Sequence, residues 1–236
     1  AGRAVEYLGV SRNNDDGLQV VVEDGGALTG DIFGAYAGGG DGAVTVDDLN
    51  SVSAIALSAP ALRHTAAVRL ENQEGGVLSG ARRYRADVLN DGLMVIGAQS
   101  GIGRLRIFGD FVQGETGTTL ATVDFAGGRG DVLSVGDDAV LGGTLRINAL
   151  SIVGGISHPL LSVDGDLSGR FDSIESGLFG FEQTVTSEGL AIRAAEARFD
   201  DPAFALSARE SGVAAYLGDV FLTSDTAFGA LFGDLD

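Results

Sequence analysis

The sequence predicts an all-β protein wound as a β-solenoid and finished by a short C-terminal helical segment. Three observations carry this. The 236 residues include 38 Gly and only 3 Pro, about twice the usual Gly share and without a G-X-Y period. The hydrophobic residues, 44% of the chain, fall in short runs that alternate with polar ones. A corner of Leu, a small residue and Gly appears four times, as ALTG at Ala27–Gly30, VLSG at Val77–Gly80, VLGG at Val140–Gly143 and DLSG at Asp166–Gly169. A chain that turns sharply after each strand needs glycine for backbone freedom, and the Leu beside it is placed to point inward. Period two with glycine corners also fits a sandwich or a barrel. The very short strands, the repeated corner, the lack of a Trp or Cys core and the scarcity of NG-type hairpin signals favour stacking.

The strand candidates follow in order. They are Leu18–Val22, Val44–Val46, Asp87–Leu89, Leu93–Ile96, Arg104–Phe108, Thr119–Phe125, Val132–Val135, Leu160–Val163, Phe181–Thr186 and Leu190–Arg193. Each has period two or a short apolar core, and each borders turn chemistry such as DDG, NDG, GETG or GGRGD. At about 20 residues per coil and about 4.8 Å per coil, residues 1–198 make a rod on the order of 45 Å long. Asp200, Asp201 and Pro202 mark the end of the strands. Ser207 and Glu210 then form an S-x-x-E capping box, with Val213, Leu217, Val220 and Phe221 at helical spacing behind it. A second helical stretch is expected over Asp225–Leu235, with Ala227, Leu231 and Leu235 four apart.

The charge balance is 15 basic against 33 acidic residues, a net of −18. That excludes a nucleic-acid footprint; RRYR at Arg82–Arg85 is one local basic cluster in an acidic chain. The absence of Cys removes disulfides, thiolate metal sites and Cys nucleophiles. The chain opens AGRAV, which reads as a mature protein or a fragment, and no apolar run approaches the ~20 residues of a membrane helix.

The run from Gly103 to Asn148 resembles the C-terminal part of bacterial autotransporter passenger domains. Leu105, Ile107, Phe111, Leu120, Val123, Asp131, Leu133, Val135, Leu141, Gly143, Thr144 and Leu145 sit on that family's pattern in order. The stretch ALSARESGVAAYLGDVF is similar to the linker helix that joins passenger to barrel in the family. Before residue 103 the likeness is only to generic β-helix repeats such as VRLENQEGGVLSG. The resemblance implies a right-handed parallel β-helix at the cell surface or outer membrane of a Gram-negative bacterium, or secreted from it. It implies β-helix repeats of the passenger stem over 1–102, autochaperone-like coils over 103–198 and a helical linker over 199–236. The linker leads toward the protein's own outer-membrane β-barrel, which these residues do not include. The expected function is non-enzymatic: a stem and folding nucleus with a part in adhesion or cell–cell aggregation, through a host-surface or self-association partner. The alternative is part of an enzymatic passenger, a carbohydrate-active β-helix or a protease, with its catalytic residues mostly elsewhere.

Candidate sites are sparse. Arg129-Gly130-Asp131 is an RGD tripeptide, but Asp131 also occupies the Asp that precedes a passenger strand. GGRGDVLSV falls one residue short of the calcium-binding nonapeptide. Asp15-Asp16, Asp41, Asp47-Asp48 and Asp137-Asp138 are acidic turns at which Ca²⁺ is the only cofactor to consider, and none has EF-hand spacing. His64 and His158 lie far apart and outside any catalytic motif, and His158-Pro159 reads as a turn. Arg82, Arg83 and Arg85 read either as a solvated strand edge or as part of a charged solenoid face. Phe171, Phe179, Phe181, Phe199, Phe204, Phe221, Phe228 and Phe232 concentrate aromatics in the last third, as a core or end cap. No residue is assigned a catalytic, cofactor-binding or metal-binding role.

Overall fold

A computed structural model describes residues 3–5, 18–30, 32–33, 42–46, 51–56, 68–97, 101–199, 201, 205–223 and 226–235. The protein is all-β. Most passes of the chain contribute one short strand to each of three ladders. The first ladder runs Gly42–Val46, Leu18–Val22, Val68–Asn72, Asp87–Asn90, Phe111–Gln113, Ala139–Leu141, Leu167–Gly169. The second runs Ser51–Ala56, Ala27–Thr29, Val77–Ser79, Leu93–Val95, Thr118–Asp124, Thr144–Ser151, Ser173–Glu175. The third runs Ile32–Phe33, Arg83–Tyr84, Arg104–Ile107, Val132–Val135, Ser157–Val163. Ser51–Ala56 pairs with both Ala27–Thr29 and Ile32–Phe33, which joins the second and third ladders into one hydrogen-bonded sheet. Within all three ladders the pairing is parallel.

Strict alternation builds the interior. Residues facing in stack on their counterparts in the pass above, so Leu28, Leu78, Met94, Thr119 and Leu145 form one fully buried column. Val20, Leu70, Val88, Phe111 and Ala139 form another, and Tyr84, Ile107, Val135 and Val163 a third. Neighbouring strands lie about 4.8 Å apart, so every inward side chain meets its like above and below without gaps. The Gly that ends each of the four corner motifs adopts positive φ: Gly30 110°, Gly80 68°, Gly143 59° and Gly169 74°. Leu28, Leu78 and Leu141 of those motifs are buried and Leu167 is half-buried.

Three features depart from a uniform stack. Gly42–Val46 pairs beneath Leu18–Val22, and Val68–Asn72 above it, so the early strands are not stacked in chain order. The passes also lengthen, from 18 residues at Asn72/Asn90 to 23 at Asn90/Gln113 and 28 at Asp110/Asp138 and Asp138/Asp166. Seven strands at about 4.8 Å make the first ladder about 29 Å tall, shorter than the uniform 20-residue coil predicts. Finally, the third ladder ends in an antiparallel hairpin: Gly189–Ala197 pairs with Ser157–Val163 on one side and Phe179–Thr186 on the other.

The helices arise where the sequence predicts, and the first turns most of its expected stripe inward, with Phe221 buried, Leu217 and Val220 half-buried against the core and Val213 left outside. α1, Ala208–Leu222, starts from Ser207 with the capping box formed in both directions. Ala214 and Phe221 are buried and Leu217 half-buried, while Val213 stands 56% exposed. α2, Gly229–Leu235, follows a 3₁₀ turn at Thr226–Phe228. Phe232 is buried and Leu231 exposed, because the inward-facing aromatics outweigh the aliphatic line at 227, 231 and 235. Ile152 N–H donates to the Gly229 carbonyl at 2.8 Å, which ties α2 to the strands. Phe179, Phe199, Phe221 and Phe232 meet with ring centres 5.3–6.0 Å apart. Phe171 is also buried, Phe181 and Phe228 are half-buried, and Phe204 lies outside the described residues.

Candidate functional site

The outward face of the third ladder gathers five arginines, Arg82, Arg83, Arg85, Arg104 and Arg106, the largest such group in sequence among the described residues. Arg83 lies directly opposite Arg106 in the register of neighbouring strands. Arg82, Arg83, Arg85, Arg104, Arg106 and Phe108 are all exposed. Alternation explains the grouping: Leu105 and Ile107 point inward, so Arg104, Arg106 and Phe108 point outward. The Arg85 and Arg106 guanidinium carbons lie 5.2 and 5.0 Å from the centre of the Phe108 ring, which is 42% exposed. Arg106 also reaches Asp164 at 3.3 Å, a solvated pair worth little by itself. Above Arg106 the same column continues as Ser134 and Ser162, whose hydroxyls are 3.1 Å apart. From the sequence only Arg82, Arg83 and Arg85 were candidates for this face. Arg104, Arg106 and Phe108 were legible as a second period-two run, but nothing in the sequence set its register against the first.

Beside this face runs a line of aspartates at the entry to the first ladder. The Asp110 N–H donates to Asp87 at 3.1 Å, Asp138 N–H to Asp110 at 3.0 Å, and Asp166 N–H to Asp138 at 2.8 Å. Each carboxylate thus pins the next pass of the chain. A Cβ on Gly109 would lie 2.0 Å from the Asp87 carboxylate, and one on Gly165 2.4 Å from that of Asp138. The Gly-Asp pairs before these strands are the sequence signal for this line; of its members the sequence singles out Asp138, as an acidic turn, and the structure places its carboxylate on the Asp166 N–H.

Asp131 of the RGD tripeptide is fully buried. Its carboxylate accepts the Gly103 N–H at 2.6 Å and the Thr122 N–H at 2.7 Å. Burial pushes its pKa up, against those two hydrogen bonds and the nearby His158. Arg129 turns away to pair with Asp124 at 2.8 Å. Both carboxylate oxygens of Asp131 are thus engaged by backbone N–H groups inside the stack. The hydrogen bonds from Ser151 and Arg129 hold the Asp124 carboxyl below the usual range. His158 and Pro159 are not in a turn but in the strand Ser157–Val163, with the buried imidazole Nε2 3.1 Å from the Asp131 carbonyl. Pro159 is tolerated because the register shifts between it and Leu161. Its missing N–H therefore costs no regular ladder bond.

Inside the stack, Asn72, Asn90 and Gln113 form a buried polar column. Asn72 Nδ2 donates to Asn90 Oδ1 at 2.6 Å, and Asn90 Nδ2 to Gln113 Oε1 at 3.0 Å. Thr119 donates to the same Gln113 oxygen at 2.9 Å. The column's two ends, Asn72 Oδ1 and Gln113 Nε2, have no partner among the described residues.

Other concavities are shallow. A groove of about 480 Å³ runs past Leu120, Asn148 and Gly233 and is bridged by Arg146 and Glu175 at 2.8 Å. An apolar groove of about 330 Å³ lies between α1 and Phe199. No group of three or more His, Asp or Glu among the described residues is arranged to hold a metal ion. His64, Asp15, Asp16, Asp41, Asp47 and Asp48 lie outside the described residues. No described helix is long and apolar enough to cross a membrane, which says nothing of membrane strands. No protein-family model, curated protein or solved structure matches the chain.

Proposed function

We propose that the chain is the membrane-proximal stem of an autotransporter passenger, a right-handed parallel β-helix whose C-terminal coils serve as the folding nucleus. In support of the handedness, connections between parallel strands of one sheet are right-handed in about 98% of cases. The observation that carries the function is the C-terminal closure. There the parallel stack gives way to an antiparallel hairpin, sealed by Phe179, Phe199, Phe221 and Phe232 under two helices. The Phe179–Thr186/Gly189–Ala197 hairpin and helix α1 form from contacts local in sequence, whereas the parallel pairings among the described strands must first close loops of 18 to 50 residues. The C-terminal end therefore forms first and offers an edge on which earlier passes template. Exposed, it would stand as a non-enzymatic spacer with an adhesive face.

The test is export of the parent protein with residues 103–194 deleted. Loss of surface display, with a protease-sensitive remainder, is expected. Normal display of a protease-resistant passenger overturns the nucleus role. A left-handed path in an experimental structure overturns the β-helix reading separately.

A further inference from the structure

We propose that the arginine–phenylalanine face of the third ladder binds a linear acidic glycan, a polysaccharide carrying carboxylate or sulfate groups. The inference holds whether or not the chain is a stem. Like charges directly opposite on neighbouring strands destabilise a sheet, yet Arg83 and Arg106 stand in that relation. In a chain with 33 acidic residues, Arg85 and Arg104 make no ion pair among the described residues. Such a face gains when an anion bridges it. Guanidinium forks match planar carboxylates and sulfates with paired hydrogen bonds.

The shape of the face selects a polymer. It is the outer surface of parallel strands, and its groups repeat about every 4.8 Å along the stack. The column Arg83, Arg106, Ser134, Ser162 alternates from charge to hydroxyl, which suits a chain bearing both acid groups and hydroxyls. Phe108 is held between two guanidiniums with its ring partly open. Gly136, packed against the Phe108 backbone, adds no side chain beside it, so a sugar's apolar face can lie there. A nucleic acid fits less well. The face has one exposed aromatic where base stacking uses several in series, and Asp110 and Asp164 border it. The net charge of −18 repels any polyanion at long range, so binding rests on short-range contacts and weakens with salt.

The full chain is titrated by calorimetry with oligogalacturonate and, separately, with a heparin oligosaccharide. Neutral dextran and a single-stranded oligonucleotide of equal charge serve as comparisons. Binding of at least one acidic glycan is expected, without binding of dextran. R85A/R104A and F108A should each weaken it about tenfold, roughly 1.4 kcal/mol, with unchanged melting temperature. R170A/R209A, the same charge change elsewhere on the surface, should leave it unchanged. Failure of both glycans to bind, equal binding of dextran, tighter binding of the oligonucleotide, or equal loss in R170A/R209A overturns the proposal.

Discussion

The buried amides show how position, rather than residue type, sets an energy. Asn90 lies between Asn72 and Gln113 and serves both. Asn90→Leu takes one hydrogen bond from each neighbour, leaving Asn72 Nδ2 only the Leu93 carbonyl and Gln113 Oε1 only the Thr119 hydroxyl, at about 2 kcal/mol in all. Replacing Asn72, Asn90 and Gln113 with Leu and Thr119 with Val removes the whole polar column, its two unpartnered ends included, so urea denaturation should find the fourfold variant more stable than the single one. Asp124 and Asp131 should shape acid stability in opposite senses. Asp124 has its pKa lowered, so its contribution is present above about pH 3.9 and is lost as pH falls through the folded value. Asp131 has its pKa raised, so its contribution is greatest at low pH and is lost as pH rises through the folded value. Unfolding free energies against pH should show the difference between wild type and D124N shrinking on acidification, and that between wild type and D131N growing. Neither role was legible in the sequence. Asp131 appeared within an RGD tripeptide, and only the hydrogen bonds from Gly103 and Thr122 place it inside.

At the scale of elements, local chemistry read well and facing read in part: Leu217, Val220 and Phe221 turn inward as their spacing suggests, while Val213 and Leu231 do not. Leu18–Val22 and Val132–Val135 match their predicted bounds, and the Ser207–Glu210 capping box starts α1 where spacing put it. Capping and alternation are properties of a few adjacent residues, which a sequence displays directly. Which side of a helix is inward depends on what it meets, and the aromatic cluster that claims Phe221 and Phe232 is assembled from distant segments. Ser207→Ala should cost about 1 kcal/mol and speed amide exchange along 208–222 while leaving the ladders protected. Gly233 is a sharper contact: a Cβ there would lie 2.5 Å from the Leu150 carbonyl oxygen. Gly233→Ala should lift α2 from the strand Thr144–Ser151. Faster amide exchange in 229–235 is the expected reading; unchanged exchange would mean that α2 is held elsewhere.

For the whole molecule, parallel stacking was legible from the recurrent glycine corner, because one backbone solution repeats wherever the chain turns. Pass length, the swapped order of the early strands and the arginine–phenylalanine face were not. Each depends on register between segments some 20 or more residues apart, and alternation within a strand carries no record of its neighbour. Native-state amide exchange should place the slowest amides in Thr144–Ser151, Ser157–Val163 and Gly189–Ala197, around the buried aromatics, with Leu18–Val22 exchanging sooner. The closing hairpin has one more consequence. Parallel strands leave a free edge that invites the next copy in the same sense, the route by which such columns fuse into fibres. By running Gly189–Ala197 and Phe179–Thr186 against the grain, the protein denies an incoming strand a parallel partner on the third ladder. The first two ladders keep parallel edges there, at Leu167–Gly169 and Ser173–Glu175, so an end-to-end polymer would have to join those edges to the far one along Gly42–Val46, past a third ladder that offers no parallel partner.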